Sequence, residues 1–144
     1  MYVADILKVK GTRVVTISSA ASIELVAQRL RMERVGALVV SETGATVDGI
    51  ISERDVAHGL AEHRGDVLSR TAADLMTKAI VTCSPTDAIA HVAQTMTDRR
   101  IHHMPVTQDG RLVGIISIGD VVKFRLDELQ TEANVMRNYI GGGQ

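Results

Sequence analysis

The sequence predicts a mixed α/β (α+β) protein built from two tandem βαββα units with pseudo-twofold symmetry, followed by an extended C-terminal helix. Three observations predict it. The chain repeats itself at an offset of 66 residues, each copy carries the same order of strand and helix signals, and the last apolar stripe runs on past the end of the repeat.

The repeat comes first because it decides architecture before any local signal does. Residues 15–44 align with 81–110, with identities at Thr16/Thr82, Ser18/Ser84, Ile23/Ile89, Val26/Val92, Ala27/Ala93, Gln28/Gln94, Arg34/Arg100 and Val40/Val106. A turn one residue shorter in the second copy then lowers the offset to 65, and GIISERDV (49–56) falls on GIISIGDV (114–121). The lead-ins Ala4-Asp5-Ile6-Leu7 and Ala73-Asp74-Leu75-Met76 also match.

Within each copy a strand near Val15 or Val81 precedes a helix whose apolar residues recur at i, i+3, i+4 and i+7: Ile23, Val26, Ala27, Leu30, and again Ile89, Val92, Ala93, Met96. Ser22 suits the N-cap of the first helix. In the second, Pro85 ahead of Thr86 and Asp87 suggests an acid close to the positive helix end. Two β-rich runs follow in each copy, Ala37 to Ser41 and Val47 to Ser52 around Gly44, then Met104 to Thr107 and Leu112 to Ser117 around Asp109-Gly110. A serine at the end of each hairpin, Ser52 or Ser117, opens a further helix with Asp55 or Asp120 in its first turn. A unit of roughly 60 residues buries too little surface to stand alone comfortably, so the two copies are expected to face each other, leaving two clefts where their sheets diverge. The expected boundaries are 1–70 for the first unit, 71–126 for the second, and 127–144 for the helical extension and tail.

Composition narrows the function. Hydrophobic residues make up 45% of the chain but aromatics only 2%, so the core must consist of Val, Ile, Leu, Met and Ala. A net charge of -1 from 16 basic and 17 acidic residues supplies no field for nucleic acid or an anionic membrane. No apolar run approaches the roughly 20 residues needed to span a bilayer, and the start lacks the apolar stretch of a signal peptide, which suggests a cytoplasmic protein. The single Cys83 permits no internal disulfide or multi-thiolate metal site and reads as a small buried apolar residue. His58 and His63 are poorly spaced for a helical metal site, and His102-His103 would point to opposite strand faces. No catalytic motif is present, so neither a catalytic residue nor a metal is assigned. Arg99-Arg100 and the basic residues from Arg29 to Arg34 read as solvated helix ends.

The duplicated acids carry the functional signal. A carboxylate at a helix entrance accepts hydrogen bonds from the vicinal hydroxyls of a ribose, and Asp55 and Asp120 offer this at matching positions. Ser52 and Ser117, three residues earlier, place a hydroxyl and free backbone N–H groups beside them. The plain alternative is an N-cap serine followed by an acid that the helix dipole favours.

The two-copy pattern, the GIISERD and GIISIGD segments, and HMPV ahead of the second hairpin resemble a tandem pair of CBS domains, the Bateman module. The resemblance covers about Ala4 to about Leu126 and implies a regulatory, non-enzymatic module. The implied ligand is an adenosine nucleotide of the AMP, ATP, NAD(H) or S-adenosylmethionine class, held in clefts between the copies. It further implies that each cleft takes its Ser and Asp from one copy and its base-contacting strand from the other. Cleft A would combine Ile50, Ser52, Arg54 and Asp55 with Ser84, Ile101, His102 and Met104. Cleft B would combine Ile115, Ser117 and Asp120, with His102 and His103 near phosphate, and Ser18, Val35, Gly36 and Ala37 around the base. On this reading the phosphate-binding cations are divided, a guanidinium in A and imidazoles in B, and the imidazoles would make phosphate affinity pH-dependent near neutrality.

After Asp120 the residues Val122, Leu126, Leu129, Ala133, Met136 and Ile140 form a heptad seam that Gly141-Gly142-Gly143 should stop. The seam either packs back on its own unit or joins two chains, and the resemblance favours a homodimer. A sensing module of this kind would act on a regulated partner protein. Two other functions remain open: a structural dimer with unused clefts, and a nucleotide-processing enzyme.

Overall fold

The computed structural model describes residues 1–142. The order of elements is α1 (Val3–Lys10), β1 (Thr16–Ile17), α2 (Ile23–Glu33), β2 (Ala37–Val40), β3 (Gly49–Ser52), α3 (Glu53–His63), a 3-10 turn (Arg64–Ser69), α4 (Ala72–Leu75), α5 (Ile89–Arg99), β4 (His103–Gln108), β5 (Arg111–Ser117) and α6 (Ile118–Gly141). The two-unit α/β architecture is the one the repeat predicts.

In the first unit β1 runs parallel to β2, and β2 pairs antiparallel with β3, Ala37 facing Ser52 and Val40 facing Gly49. In the second only the β4–β5 hairpin forms a regular ladder, and the strand expected ahead of α5 shrinks to a single parallel bridge between Cys83 and Val106. Pro105 accounts for the difference. Its repeat counterpart Val39 donates its N–H to Val15 O at 3.3 Å, a bond that proline cannot make, whereas the next bond along, Ser41 N to Ile17 O, survives as Thr107 N to Cys83 O.

The first hairpin is shorter than expected at its loop end. The Ser41 hydroxyl accepts from Gly44 N, and the Asp48 carboxylate accepts from Glu42 N, so these groups organise a loop instead of extending the ladder. The second hairpin is longer than expected because Asp109 and Gly110 both take positive φ, 52° and 76°, matching the tight turn that strand twist favours.

Ser22 caps α2, its hydroxyl accepting from Leu25 N at 3.1 Å. The expected start of α5 is corrected. That helix opens at Ile89 after Ala88 with no acid in its first turn, and Asp87 instead accepts from Ser84 N at 2.8 Å. The first N–H of α5 goes to the backbone of Met1, Ile89 N to Met1 O at 3.1 Å.

That contact belongs to an exchange of lead-in segments between the units. From α1, Val3, Ile6 and Leu7 are buried with Ile89, Val92, Met96, Met104, Val106, Ile116 and Val121 of the second unit. Reciprocally, Ala72, Leu75 and Met76 pack on the first core of Ile17, Ile23, Val26, Leu30, Leu38, Val40 and Ile51. The matched glycines of the two GIIS segments admit the matched lead-in side chains: a Cβ on Gly114 would lie 2.7 Å from Leu7 Cδ2, and one on Gly49 2.5 Å from Met76 Sδ.

The α6 helix packs against its own unit only near its start. Val122, Leu126, Leu129, Met136 and Ile140 along the heptad seam are all exposed, so among the described residues nothing covers that seam. The helix continues through Gly141, one residue into the expected glycine stop, and Gly143 lies outside the described residues.

Candidate functional site

Both serine–aspartate pairs form reciprocal caps. In the first unit the Ser52 hydroxyl accepts from Asp55 N at 3.3 Å, while Asp55 Oδ2 accepts from Ser52 N at 2.8 Å and from the Ser52 hydroxyl at 3.0 Å. In the second, Ser117 Oγ accepts from Asp120 N at 3.2 Å and Asp120 Oδ2 accepts from Ser117 N at 2.9 Å. The structural role therefore uses one oxygen of each acid. Oδ1 of both is left without a hydrogen bond from the described residues, free for a ligand. Cap and ligand site are thus compatible readings of one residue.

Asp55 lies in a cavity of about 340 Å³ lined by both copies. Of the residues expected in cleft A, Ile50, Ser52, Arg54, Asp55, Ile101 and His102 share this cavity. Two do not line it. Met104 is buried in the second core, and the Ser84 hydroxyl is engaged with Thr86 Oγ1 at 3.1 Å in the turn before α5. Gly36 and His103, expected in cleft B, line this cavity as well. They touch across the interface: a Cβ on Gly36 would lie 3.0 Å from His103 Nε2, so the missing side chain makes room for the imidazole.

Three lining residues escaped the sequence reading: Glu53, Thr77 and Arg100. Arg100 ends α5 in a left-handed conformation, φ 54°, as its repeat partner Arg34 ends α2 at φ 55°. Their identity in the repeat was the available signal. Two guanidinium groups, Arg54 and Arg100, and both imidazoles line this one cavity, where the sequence places a guanidinium in one cleft and the imidazoles in the other.

At the pseudo-symmetric position of the second unit, Ile115, Ser117 and Asp120 are joined by Lys10, whose ammonium donates to Asp120 Oδ2 at 2.7 Å and to Ile115 O at 2.9 Å. Burial opposes ionisation of Asp120, but the Lys10 hydrogen bond, the Ser117 amide and the Lys10 charge outweigh it and hold the carboxyl below its ordinary range. Of the other residues expected there, Val35 is half-buried, Ala37 is buried, and Ser18 is exposed with its hydroxyl accepting from Ala20 N.

His103 lines the Asp55 cavity and also lies in the field of Lys10 and Asp120 as well as Glu53. Burial, reinforced by His102 and Lys10, pushes its imidazole below the ordinary value, so it is mainly neutral at pH 7. A pH response of phosphate binding through His103 therefore moves to the acid side of neutrality. Burial pushes the Cys83 thiol up to about 12, in keeping with a packing role.

A family model described as CBS domain matches the chain twice, over residues 3–62 and 72–127. The chain belongs to the CBS-domain family. A CBS-domain containing protein from Agrobacterium tumefaciens, 39% identical, superposes with a TM-score of 0.84 over 87% of this chain and 99% of its own. A mitochondrial CBS domain-containing protein of Arabidopsis thaliana is 36% identical over 79% of this chain, which spans 57% of that relative's length. Two ligand complexes are also similar. A CBS domain pair solved with 5'-methylthioadenosine and S-adenosyl-L-methionine is 28% identical, with a TM-score of 0.78 over 89% of this chain and 98% of its own. A CBS domain protein of Pyrobaculum aerophilum complexed with AMP is 27% identical, with a TM-score of 0.74 over 83% and 89%. Among the described residues, no helix is long and apolar enough to cross a membrane.

Proposed function

We propose that this CBS pair is a regulatory module that binds an adenosine nucleotide in the groove at Asp55, and in its pseudo-symmetric counterpart at Asp120, without catalysing a reaction. The observation that carries the reading is the free Oδ1 of Asp55, set in a cavity walled by both copies. A ribose there places its hydroxyls on the carboxylate. The base lies against Ile50 and Ile101, and a 5'-phosphate is within the field of Arg54, Arg100 and His102. The complexes of similar CBS proteins with AMP, and with S-adenosyl-L-methionine and 5'-methylthioadenosine, support the ligand class.

Because the cavity at Asp55 draws on both copies, a nucleotide bound there bridges them and biases their packing, a change that a partner protein can read. Two chains associate through the exposed seam of α6, whose apolar side chains have no cover in one copy. The balanced charge fits a protein acting in the cytoplasm.

Thermal denaturation with AMP, ATP, NADH and S-adenosylmethionine tests the reading. A ligand at about 100 times its Kd adds about 2.7 kcal/mol, roughly an 8 °C rise in Tm for a chain of this size. Asp55→Ala is expected to remove the part of the shift due to the first groove. No shift with any of the four on a folded protein would favour a purely structural pair, and turnover of bound nucleotide would favour an enzyme.

A further inference from the structure

We propose that Lys10 is a specificity-determining residue of the second groove, selecting an adenosine ligand that carries a phosphate over an uncharged one. The proposal rests on the nucleotide reading of Asp120 and extends it to the chemical class of ligand.

Lys10 is the last residue of α1, 110 positions from Asp120 in sequence, yet its ammonium bonds two of the atoms expected to wall the groove, Asp120 Oδ2 and Ile115 O. The exchange of lead-in helices brings it there. Leu7, one turn earlier, is seated on Gly114, which fixes the end of α1 over the start of α6. An ammonium has three N–H donors, and the protein uses two of them here, leaving one for a ligand. Asp120 keeps Oδ1 for a ribose hydroxyl, so Lys10 need not leave for a nucleoside to enter.

The first groove shows that the fold does not require this lysine. The lead-in alignment places Ala79 opposite Lys10, and the carbonyl of Ile50, counterpart of Ile115, accepts the uncharged backbone N–H of Thr77 at 2.9 Å. Asp55 has no cation within ion-pairing distance among the described residues, so Lys10 is a charge added to one groove only.

Its consequence is electrostatic. With Lys10 in place the Asp120 carboxylate is balanced, and an incoming phosphate meets an ammonium with a spare donor. Without it, the same phosphate approaches an uncompensated carboxylate whose side chain is only 26% exposed, where screening by salt is weakened. An adenosine ligand that is neutral at its 5' end is insensitive to the change.

The test uses the full chain carrying Asp55→Asn, so that the second groove reports, titrated calorimetrically with AMP and with 5'-methylthioadenosine at pH 7.5. Lys10→Met is expected to weaken AMP about tenfold while leaving 5'-methylthioadenosine within about twofold. Lys10→Gln should behave as Lys10→Met does, and Lys10→Arg should restore AMP. Equal loss for both ligands, or unchanged AMP affinity, would overturn the proposal while leaving nucleotide binding intact. If the folded Asp55→Asn protein binds neither ligand, the nucleotide reading of the second groove fails, and this proposal with it.

Discussion

Ile6→Ala is expected to destabilise the second CBS unit although Ile6 lies in the first by sequence. Ile6 has no exposed surface and sits among Val92, Met96, Met104, Ile116 and their neighbours. Truncating a fully buried isoleucine removes its transfer free energy and leaves a cavity that the surroundings fill only in part, at a cost of about 3–4 kcal/mol. For a chain of this length that lowers Tm by about 10 °C. Calorimetry reads the total, and hydrogen exchange resolved by segment reads its place. Amide protection should fall first in α5, β4 and β5, because local openings report the weakened unit. Leu75→Ala, at the matching position of the other lead-in, should give the converse pattern with losses centred on α2, β2 and β3. A drop of less than about 3 °C for Ile6→Ala, or protection lost mainly between Ile23 and Ser52, would refute the exchanged packing.

Three further outcomes follow from the chemistry of single groups. The His103 imidazole should titrate below 6.5 by nuclear magnetic resonance; since its folded-state value lies below the unfolded one, its contribution to stability is present above about 6.5 and lost as pH falls through the folded midpoint, and His103→Gln should flatten that acid-side decline. Cys83, with its thiol at about 12, should resist iodoacetamide for hours at pH 8 in the folded protein and react promptly in denaturant, as mass spectrometry would record. Paired Leu126→Glu and Met136→Glu substitutions on the exposed seam of α6 should convert dimers to monomers in sedimentation experiments; an unaltered protein that stays monomeric at high micromolar concentration would contradict the dimer.

The parts of the fold governed by local chemistry were readable from the sequence. Both Ser–x–x–Asp caps, the Ser22 cap and the hairpin at Asp109-Gly110 depend on residues within a few positions of one another, and the repeat doubled each signal. Pro105 was visible as a departure from Val39, but its cost to the neighbouring strand needed the register of the parallel pair, which one sequence does not reveal. Asp87 was assigned to a helix entrance because acids favour that place, whereas the turn at Pro85 claimed its carboxylate first. The candidate groove was legible where one motif supplies it, as with Ile50, Ser52, Arg54 and Asp55, and partly where the other copy faces it, as with Ile101 and His102. Arg100 reads in the sequence as a solvated helix end, yet at the left-handed C-cap of α5 it lines the groove. Lys10 was out of reach, because nothing in the spacing of a lead-in helix says that it packs on the other unit.

A crystal structure of the chain with AMP addresses the claim at its root. Ribose hydroxyls within about 3 Å of Asp55 Oδ1, and the phosphate turned toward Arg54 and Arg100, are the predicted result. AMP bound away from both aspartates, or absent from the grooves at saturating concentration, would contradict it.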